Sequence, residues 1–250
     1  MNSFISWVGG KKLLRKHIIN EFPEDYKRYV EVFGGAGWVL FGLKHTGKIE
    51  IYNDKNSDLV NLFRCMKYHY EELQRELALL LNSREQFYCF KEQLKCSGLT
   101  DIQRAARFYI LIKHSFGSRT ETFTGGKQTD ISNIITVFPE ISQRLSRVII
   151  ENRDYRDIIR LYDKPETLFY LDPPYHGSEN MYNKHFSDID HISLRDMLLD
   201  ISCKFILSYN DDTHIRELYS DFNIIEVERQ NNLSIDKGNK RYKELIIKNF

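Results

Sequence analysis

What this chain of 250 residues has little of narrows its class before any motif is read. No apolar stretch approaches the roughly 20 residues needed to span a bilayer, and Met1-Asn2-Ser3 opens without a signal-peptide pattern. The expectation is a soluble, cytoplasmic protein. Its four cysteines (Cys65, Cys89, Cys96 and Cys203) contain no C-x-x-C pair, and its eight histidines show no H-x-x-x-H or comparable spacing. Reduced thiols and no metal are expected. Net charge is small as well, since 36 Lys and Arg against 35 Asp and Glu leave +1. Global charge therefore announces no nucleic-acid partner, and such a case has to rest on local clusters. The glycine loop described below has neither the G-x-G-x-x-G spacing nor a G-K-[ST] sequence, which disfavours a pyrophosphate site.

Proline is scarce, and two of the five, Pro173 and Pro174, stand together. They follow Leu168-Phe169-Tyr170-Leu171, a run of branched and aromatic side chains that reads as a buried strand, which two prolines must end. Both have a fixed φ and no N–H, and they hold the residues before them extended. Asp172 and the nearby carbonyls thus form a rigid, acceptor-only rim suited to a bound amine. Tyr175 adds a flat face of the kind on which flipped bases stack. The plainer reading is an acidic turn after a strand, but Asp172-Pro173-Pro174-Tyr175 would arise by chance in roughly one chain per thousand of this length.

Upstream, Ser6-Trp7-Val8-Gly9-Gly10-Lys11-Lys12 precedes Leu13, Leu14, Ile18 and Phe22 at helical spacing. Gly9 and Gly10 let the backbone approach a ligand, Trp7 can cover its aromatic part, and Lys11 is expected to open a helix. A structural Gly-Gly turn is the alternative. A strand over 29–33 then runs through Phe33 into Gly34-Gly35-Ala36-Gly37 and a helix from Trp38, the order of a nucleotide-binding βα unit. The next strand, 49–52, ends at Asn53-Asp54, and an acid about twenty positions after the loop is where such folds bind ribose hydroxyls. Asp54 as the cap of a helix beginning near Ser57 is the other possibility. The ligand implied is a nucleoside without a demanding phosphate site.

From 57 to 145 the pattern turns helical. Ser83-x-x-Gln86 and Thr100-x-x-Gln103 are capping-box patterns, with apolar faces from Leu62, Leu73, Leu77, Leu81, Phe87, Phe108 and Leu111. Residues 1–56 and 146–250 are expected to form one α/β domain and 57–145 an insertion. Between Arg104 and Lys127 five basic residues face the single acid Glu121, with Phe116 and Phe123 interleaved among small residues. That composition suits a basic loop with aromatic wedges for nucleic acid, or else an ordinary solvated loop. Further strands are expected at 147–151, 167–171, 204–208, 223–228 and 243–248. The total of seven predicts an open, doubly wound, mostly parallel sheet whose ligands lie beyond the carboxyl ends of its strands. The glycine loop, Asp54 and Asp172 all follow strands and can share that crevice, and Ser208-Tyr209-Asn210 ends at the same edge. Lys237 to Lys248 carries five basic residues and one acid, a second candidate for phosphate contact.

Taken in order, Trp7-Val8-Gly9-Gly10-Lys11, Phe33-Gly34-Gly35-Ala36-Gly37, Asn53-Asp54, a helical insertion and Asp172-Pro173-Pro174-Tyr175 resemble the Dam-type (D12 class) DNA adenine N6-methyltransferases. The likeness extends to Ser208-Tyr209-Asn210-Asp211 and Glu244-Leu245-Ile246-Ile247-Lys248-Asn249-Phe250, nearly the whole chain. It implies a Rossmann-like methyltransferase sheet that moves a methyl group from S-adenosyl-L-methionine to a flipped adenine in double-stranded DNA, leaving S-adenosyl-L-homocysteine. Enzymes of this kind occur in restriction-modification pairs, on phages and mobile elements, or as solitary methylases. By the resemblance, Trp7, Gly9, Gly10 and Lys11, the loop Phe33 to Gly37, Asp54 and Asp172 hold the cofactor, with Asp54 on the ribose. Asp172, Pro173, Pro174 and Tyr175 grip the adenine. The insertion becomes the target-recognition region, with Lys113, Phe116, Arg119 and Lys127 expected on DNA, and Lys240, Arg241 and Lys243 on phosphate. No membrane or metal is implied, and a monomer or weak dimer is expected. The chain departs from the family at Ile112-Lys113-His114-Ser115-Phe116-Gly117-Ser118-Arg119, where an Asn before the basic residue and Phe-Asn-Gly after it are common, so GATC is not carried over as the target. The nearest alternatives are the same chemistry on RNA or on a protein amide, the latter opposed by Asp rather than Asn at 172. A binding protein without catalysis is a third.

Overall fold

The computed structural model describes residues 1–44, 47–81, 83–125, 135–177, 186–230 and 241–250, with backbone alone at 229–230 and 241–242. Its strands are β1 (Arg28–Glu31), β2 (Ile49–Asn53), β3 (Ile149–Glu151), β4 (Thr167–Leu171), β5 (Lys204–Asn210), β6 (Asn223–Gln230) and β7 (Arg241–Lys248). They form one sheet in the order β3-β2-β1-β4-β5-β7-β6. The first five are parallel to one another. β7 runs antiparallel to both β5 and β6, because the ten residues between β6 and β7 are too few for a crossover. Chain order reverses between β1 and β4. The glycine loop and Asp172 therefore flank the switch point, where such sheets bind ligands.

Both faces of the sheet are covered, as the near-continuous apolar strands require. Alternate residues divide between two hydrophobic clusters: Tyr29, Tyr52, Leu168, Tyr170, Ile206 and Ile246 enter one, while Val30, Ile51, Phe169, Leu171, Leu207 and Ile247 enter the other. The second cluster is closed by α8 (Tyr155–Tyr162), α9 (Asp188–Asp200) and α10 (Thr213–Leu218). The first is closed by α1 (Arg15–Asn20), α2 (Trp38–Gly42) and the helices after β2, namely α3 (Ser57–Tyr68), α4 (Tyr70–Ala78), α5 (Arg84–Gln93), α6 (Asp101–His114) and α7 (Phe138–Leu145).

Helix starts follow the capping chemistry. Thr100 and Gln103 form a reciprocal box, and the Ser83 hydroxyl accepts from the Gln86 N–H. Asn56, not Asp54, caps α3. The first helix begins at Arg15 rather than at Lys11, with Lys11 one turn upstream where its carbonyl accepts the Arg15 N–H. The helices of the 57–145 stretch share one core with the sheet: Phe63 stacks on Tyr52 of β2 at 4.1 Å, and Phe4 of the N-terminal segment packs on Phe63 and Tyr109.

Candidate active site

The glycine loop after β1 exists because little else fits there. A Cβ on Gly34 would enter the ring of Tyr52, and Gly35 and Gly37 hold φ of +50° and +67°, which side chains other than glycine rarely adopt. Asp54 ties this loop to β2: Oδ2 accepts the Gly35 N–H at 2.9 Å and Oδ1 the Asn56 N–H at 2.7 Å. Tyr52 assists, its hydroxyl donating to the Gly35 carbonyl at 2.7 Å. Trp7 lies against the other side of the loop, 3.1 Å from the point a Gly35 Cβ would occupy, and its ring meets Phe108 of α6 at 5.8 Å.

These groups line a cavity of about 540 Å³, within the ordinary range for a nucleoside-sized ligand. One wall is Trp7, Gly10 and Lys11; another is Phe33 to Ala36 with Asp54; a third is Asp172 and Pro174. The sequence-derived sites after three different strands are thus brought together. Gly9, Gly37, Pro173 and Tyr175 stand just outside that lining: Gly37 caps α2, Pro173 is buried behind the rim, and Gly9 offers its carbonyl to Lys11.

Asp172 is the electrostatic centre. The Lys11 ammonium sits 2.7 Å from Oδ1, 3.0 Å from the Gly9 carbonyl and 4.4 Å from the centroid of the Tyr175 ring. The Ser208 hydroxyl donates to the same Oδ1 at 3.1 Å and pairs with the Tyr170 hydroxyl at 3.0 Å. Burial pushes the Asp172 carboxyl up, and the Lys11 charge pulls it back. Behind the loop, Glu31 is 2% exposed and accepts from the Tyr29 hydroxyl and the Leu40 N–H, both at 2.8 Å. Burial raises its carboxyl to about 8.

Sequence reasoning missed the end of β3. Arg153, Asp154 and Tyr155 line the cavity, with Tyr155 facing Phe33 at 5.5 Å and Phe186 completing the aromatic wall at 5.9 Å from Phe33. The signal was present, because Asn152-Arg153-Asp154 follows a strand as Asn53-Asp54 does.

The residues expected on DNA scatter. Lys113, expected on DNA, is turned inward, donating to the Phe4 carbonyl at 2.9 Å, and burial lowers its ammonium to about 8. Its helix, α6, is buried at every position from Phe108 to Ile112, so a lysine at its end meets protein. Phe116 is 72% exposed. Arg119, by contrast, lines the cavity with Ser118 and Thr120, in a turn where both neighbours hold φ near +60°. Lys127 and Lys240 lie outside the described residues, as does the Arg241 side chain. Lys243 is half-exposed, 3.6 Å from Glu226.

A switch-point crevice with a nucleoside-sized cavity, a carboxylate on the second strand and a proline-rimmed acceptor on the fourth puts the molecule among the Rossmann-like α/β methyltransferases. More narrowly, the chain belongs to the D12 class of N6 adenine-specific DNA methyltransferases, whose family model matches residues 7–233. It is 26% identical to the type II methyltransferase M1.LlaDCHI of Lactococcus lactis subsp. cremoris, over 100% of this chain and 96% of that protein. To the type II methyltransferase M.MjaIII of Methanocaldococcus jannaschii it is 29% identical, over 99% and 98%. The Retron Ec67 DNA adenine methylase of Escherichia coli is 23% identical over 99% of this chain and 90% of that protein. Membership makes the chain a transferase that methylates adenine in DNA and draws on a methyl donor. No described helix is long and apolar enough to cross a membrane.

Proposed function

We propose that the chain moves the methyl group of S-adenosyl-L-methionine to the exocyclic amine of an adenine flipped out of double-stranded DNA, with Asp172 and the following prolines as the amine's acceptors. The observation that carries this is the seat of Lys11. An N–H donor, the Lys11 ammonium, already sits on the Asp172 carboxylate above the face of Tyr175, with the Gly9 carbonyl as its second acceptor where the amine would take a proline carbonyl. An adenine amine asks for the same arrangement.

The cavity fits the cofactor. Gly34 and Gly35 leave room for close backbone approach, Asp54 stands where ribose hydroxyls can donate, and Phe33 with Tyr155 offers apolar faces to a purine. When bound, the cofactor supplies an electrophilic methyl on a sulfonium. Everything else falls to the chain. Adenine's amine is a poor nucleophile because its lone pair is delocalised into the ring, and it is unreachable within the duplex. Two fixed acceptors draw its protons out of the ring plane, making the nitrogen more tetrahedral with its lone pair turned towards the methyl carbon, so the rate gain is positioning and preorganised electrostatics. The nitrogen–carbon bond forms as the sulfur–carbon bond breaks, and the nitrogen then sheds one proton to Asp172 or to water. A buried carboxylate that holds protons more readily than a free one suits that last step. Lys11 has to leave Asp172 as the base arrives.

The test is to incubate the protein with DNA and S-adenosyl-L-methionine, digest the DNA, measure N6-methyladenine and map its positions. Asp172→Ala should abolish the product. Asp172→Asn, presenting a donor where an acceptor is needed, should lose about 2 to 4 kcal/mol of transition-state stabilisation. Near-normal turnover by the Asn variant, or methylation of RNA in preference to DNA, would overturn the assignment.

A further inference from the structure

The Asp-Pro-Pro-Tyr turn is held from two neighbouring strands. Ser208 on β5 reaches Asp172. From β7 Glu244 reaches Tyr175 instead: the phenol donates to Oε2 at 2.8 Å, bridging 69 positions of chain. The antiparallel direction of β7 makes this possible. It sets Glu244, in the first half of its strand, opposite Asn210 at the carboxyl end of β5, and so at the edge where the parallel strands deliver the site. Glu244 is only 4% exposed. A carboxylate removed from water is costly unless it is bound, and this one lies near a second carboxylate, Asp172, which it pushes towards its protonated form. Burial and the two carboxylates raise the Tyr175 phenol well above its ordinary range, so it remains a donor. The ring it carries has the Lys11 ammonium over it at 4.4 Å and the ring centroid of Tyr209 5.9 Å away.

We infer that Glu244 is a positioning residue: by holding the Tyr175 hydroxyl it fixes the tilt of the ring on which the flipped adenine stacks, an inference that rests on the stacking role proposed above. A hydroxyl tether fixes the far end of the ring's long axis, which the χ1 torsion at the end of a turn otherwise lets swing, while rotation about χ2, whose axis passes through the phenol oxygen, is left to packing against Tyr209.

Kinetics of Tyr175→Phe, Glu244→Ala, Glu244→Gln and the Tyr175→Phe/Glu244→Ala pair test it, on DNA that the wild type methylates. Fluorescence is read in parallel from the same DNA with 2-aminopurine at the target adenine. Tyr175→Phe and Glu244→Ala should each lower kcat about tenfold and leave the cofactor KM unchanged, and the pair should be no worse than the poorer single variant. Both should flip the 2-aminopurine with altered quenching. Glu244→Gln, whose amide oxygen still accepts the phenol, should recover most of kcat. It should also shift the acid limb of the rate profile to lower pH, because one of the two carboxylates near Asp172 has gone. The other groups facing Asp172 stay as they are: Lys11 from the N-terminal segment, Tyr170 and Tyr175 of its own strand and turn, Ser208 of β5 and Glu31 of β1. Additive losses in the pair, or cofactor affinity and melting temperature falling with kcat in Glu244→Ala, would reduce Glu244 to a structural staple and overturn the inference. If Glu244→Ala does not fold, Tyr175→Phe and the Gln variant decide. A wild type that methylates no adenine at all is a separate result, which removes the stacking role itself and this inference with it.

Discussion

Lys11 and Glu31 show how two single side chains set the charge of the site from opposite directions. Lys11 neutralises Asp172 from 2.7 Å in the free enzyme, so Lys11→Met should leave only the Ser208 hydrogen bond against burial and raise the acid limb of kcat/KM against pH by roughly one unit. A limb that stays in place would mean that Asp172 ionisation does not control the rate. Glu31 acts on the fold. It keeps its proton to about pH 8 in the native chain, against an ordinary 4.5, so folding must take up a proton across that window and stability falls as pH rises through it. Glu31→Gln retains an acceptor for Tyr29 and Leu40 but cannot ionise. The variant should gain a few kcal/mol at pH 8 and almost nothing at pH 4, read from denaturant midpoints at the two pH values.

At the level of elements, we propose for the turn from Ser115 to Phe123 a role on the cofactor side of the cavity, beside the DNA contact expected of it. Ser115 and Phe123 pair as a bridge, the Thr120 N–H donates to the Ser115 hydroxyl at 2.9 Å, and Ser118 and Thr120 carry left-handed φ. Strain of that kind persists where the surroundings over-determine it. Because Arg119 faces the cavity that also holds Asp54, Arg119→Ala should weaken S-adenosyl-L-methionine binding roughly three- to tenfold by calorimetry, a loss of about 1 kcal/mol. Unchanged cofactor affinity with relaxed sequence preference would return Arg119 to base reading. Strand positions were legible in the sequence because buried parallel strands are written as unbroken apolar runs closed by Gly, Asp or Pro, as at Leu168 to Asp172. The inward turn of Lys113, the reach of Glu244 to Tyr175 and the direction of β7 were not. A side chain's charge does not say which neighbour packing will give it, and a contact across 69 positions leaves no local pattern. The start of the first helix was misplaced for a related reason. The Lys11 side chain is committed to Asp172, and the backbone around it turns before it coils.

For the whole molecule, a formal charge of +1 means that affinity for DNA has to come from where cations stand rather than how many there are. Lys243 is half-exposed beside Glu226 on β7, so if it meets phosphate, Lys243→Ala should flatten the slope of log affinity against log salt by about one unit and weaken all DNA sequences alike. An unaltered slope would assign it to the Glu226 pair. The hydrophobic cluster beneath the sheet has a larger consequence. Phe63 and Tyr52, Phe4 and Tyr109, Trp7 and Phe108 are packed across what the sequence suggested as a domain boundary. We propose that the helices after β2 cannot be exchanged for those of a relative without loss, since the transplant would strip one face of the sheet along with the wall of the cavity. If Phe116 meets DNA as proposed, new target preferences are reached more cheaply by changing the exposed turn where it stands than by exchanging helices.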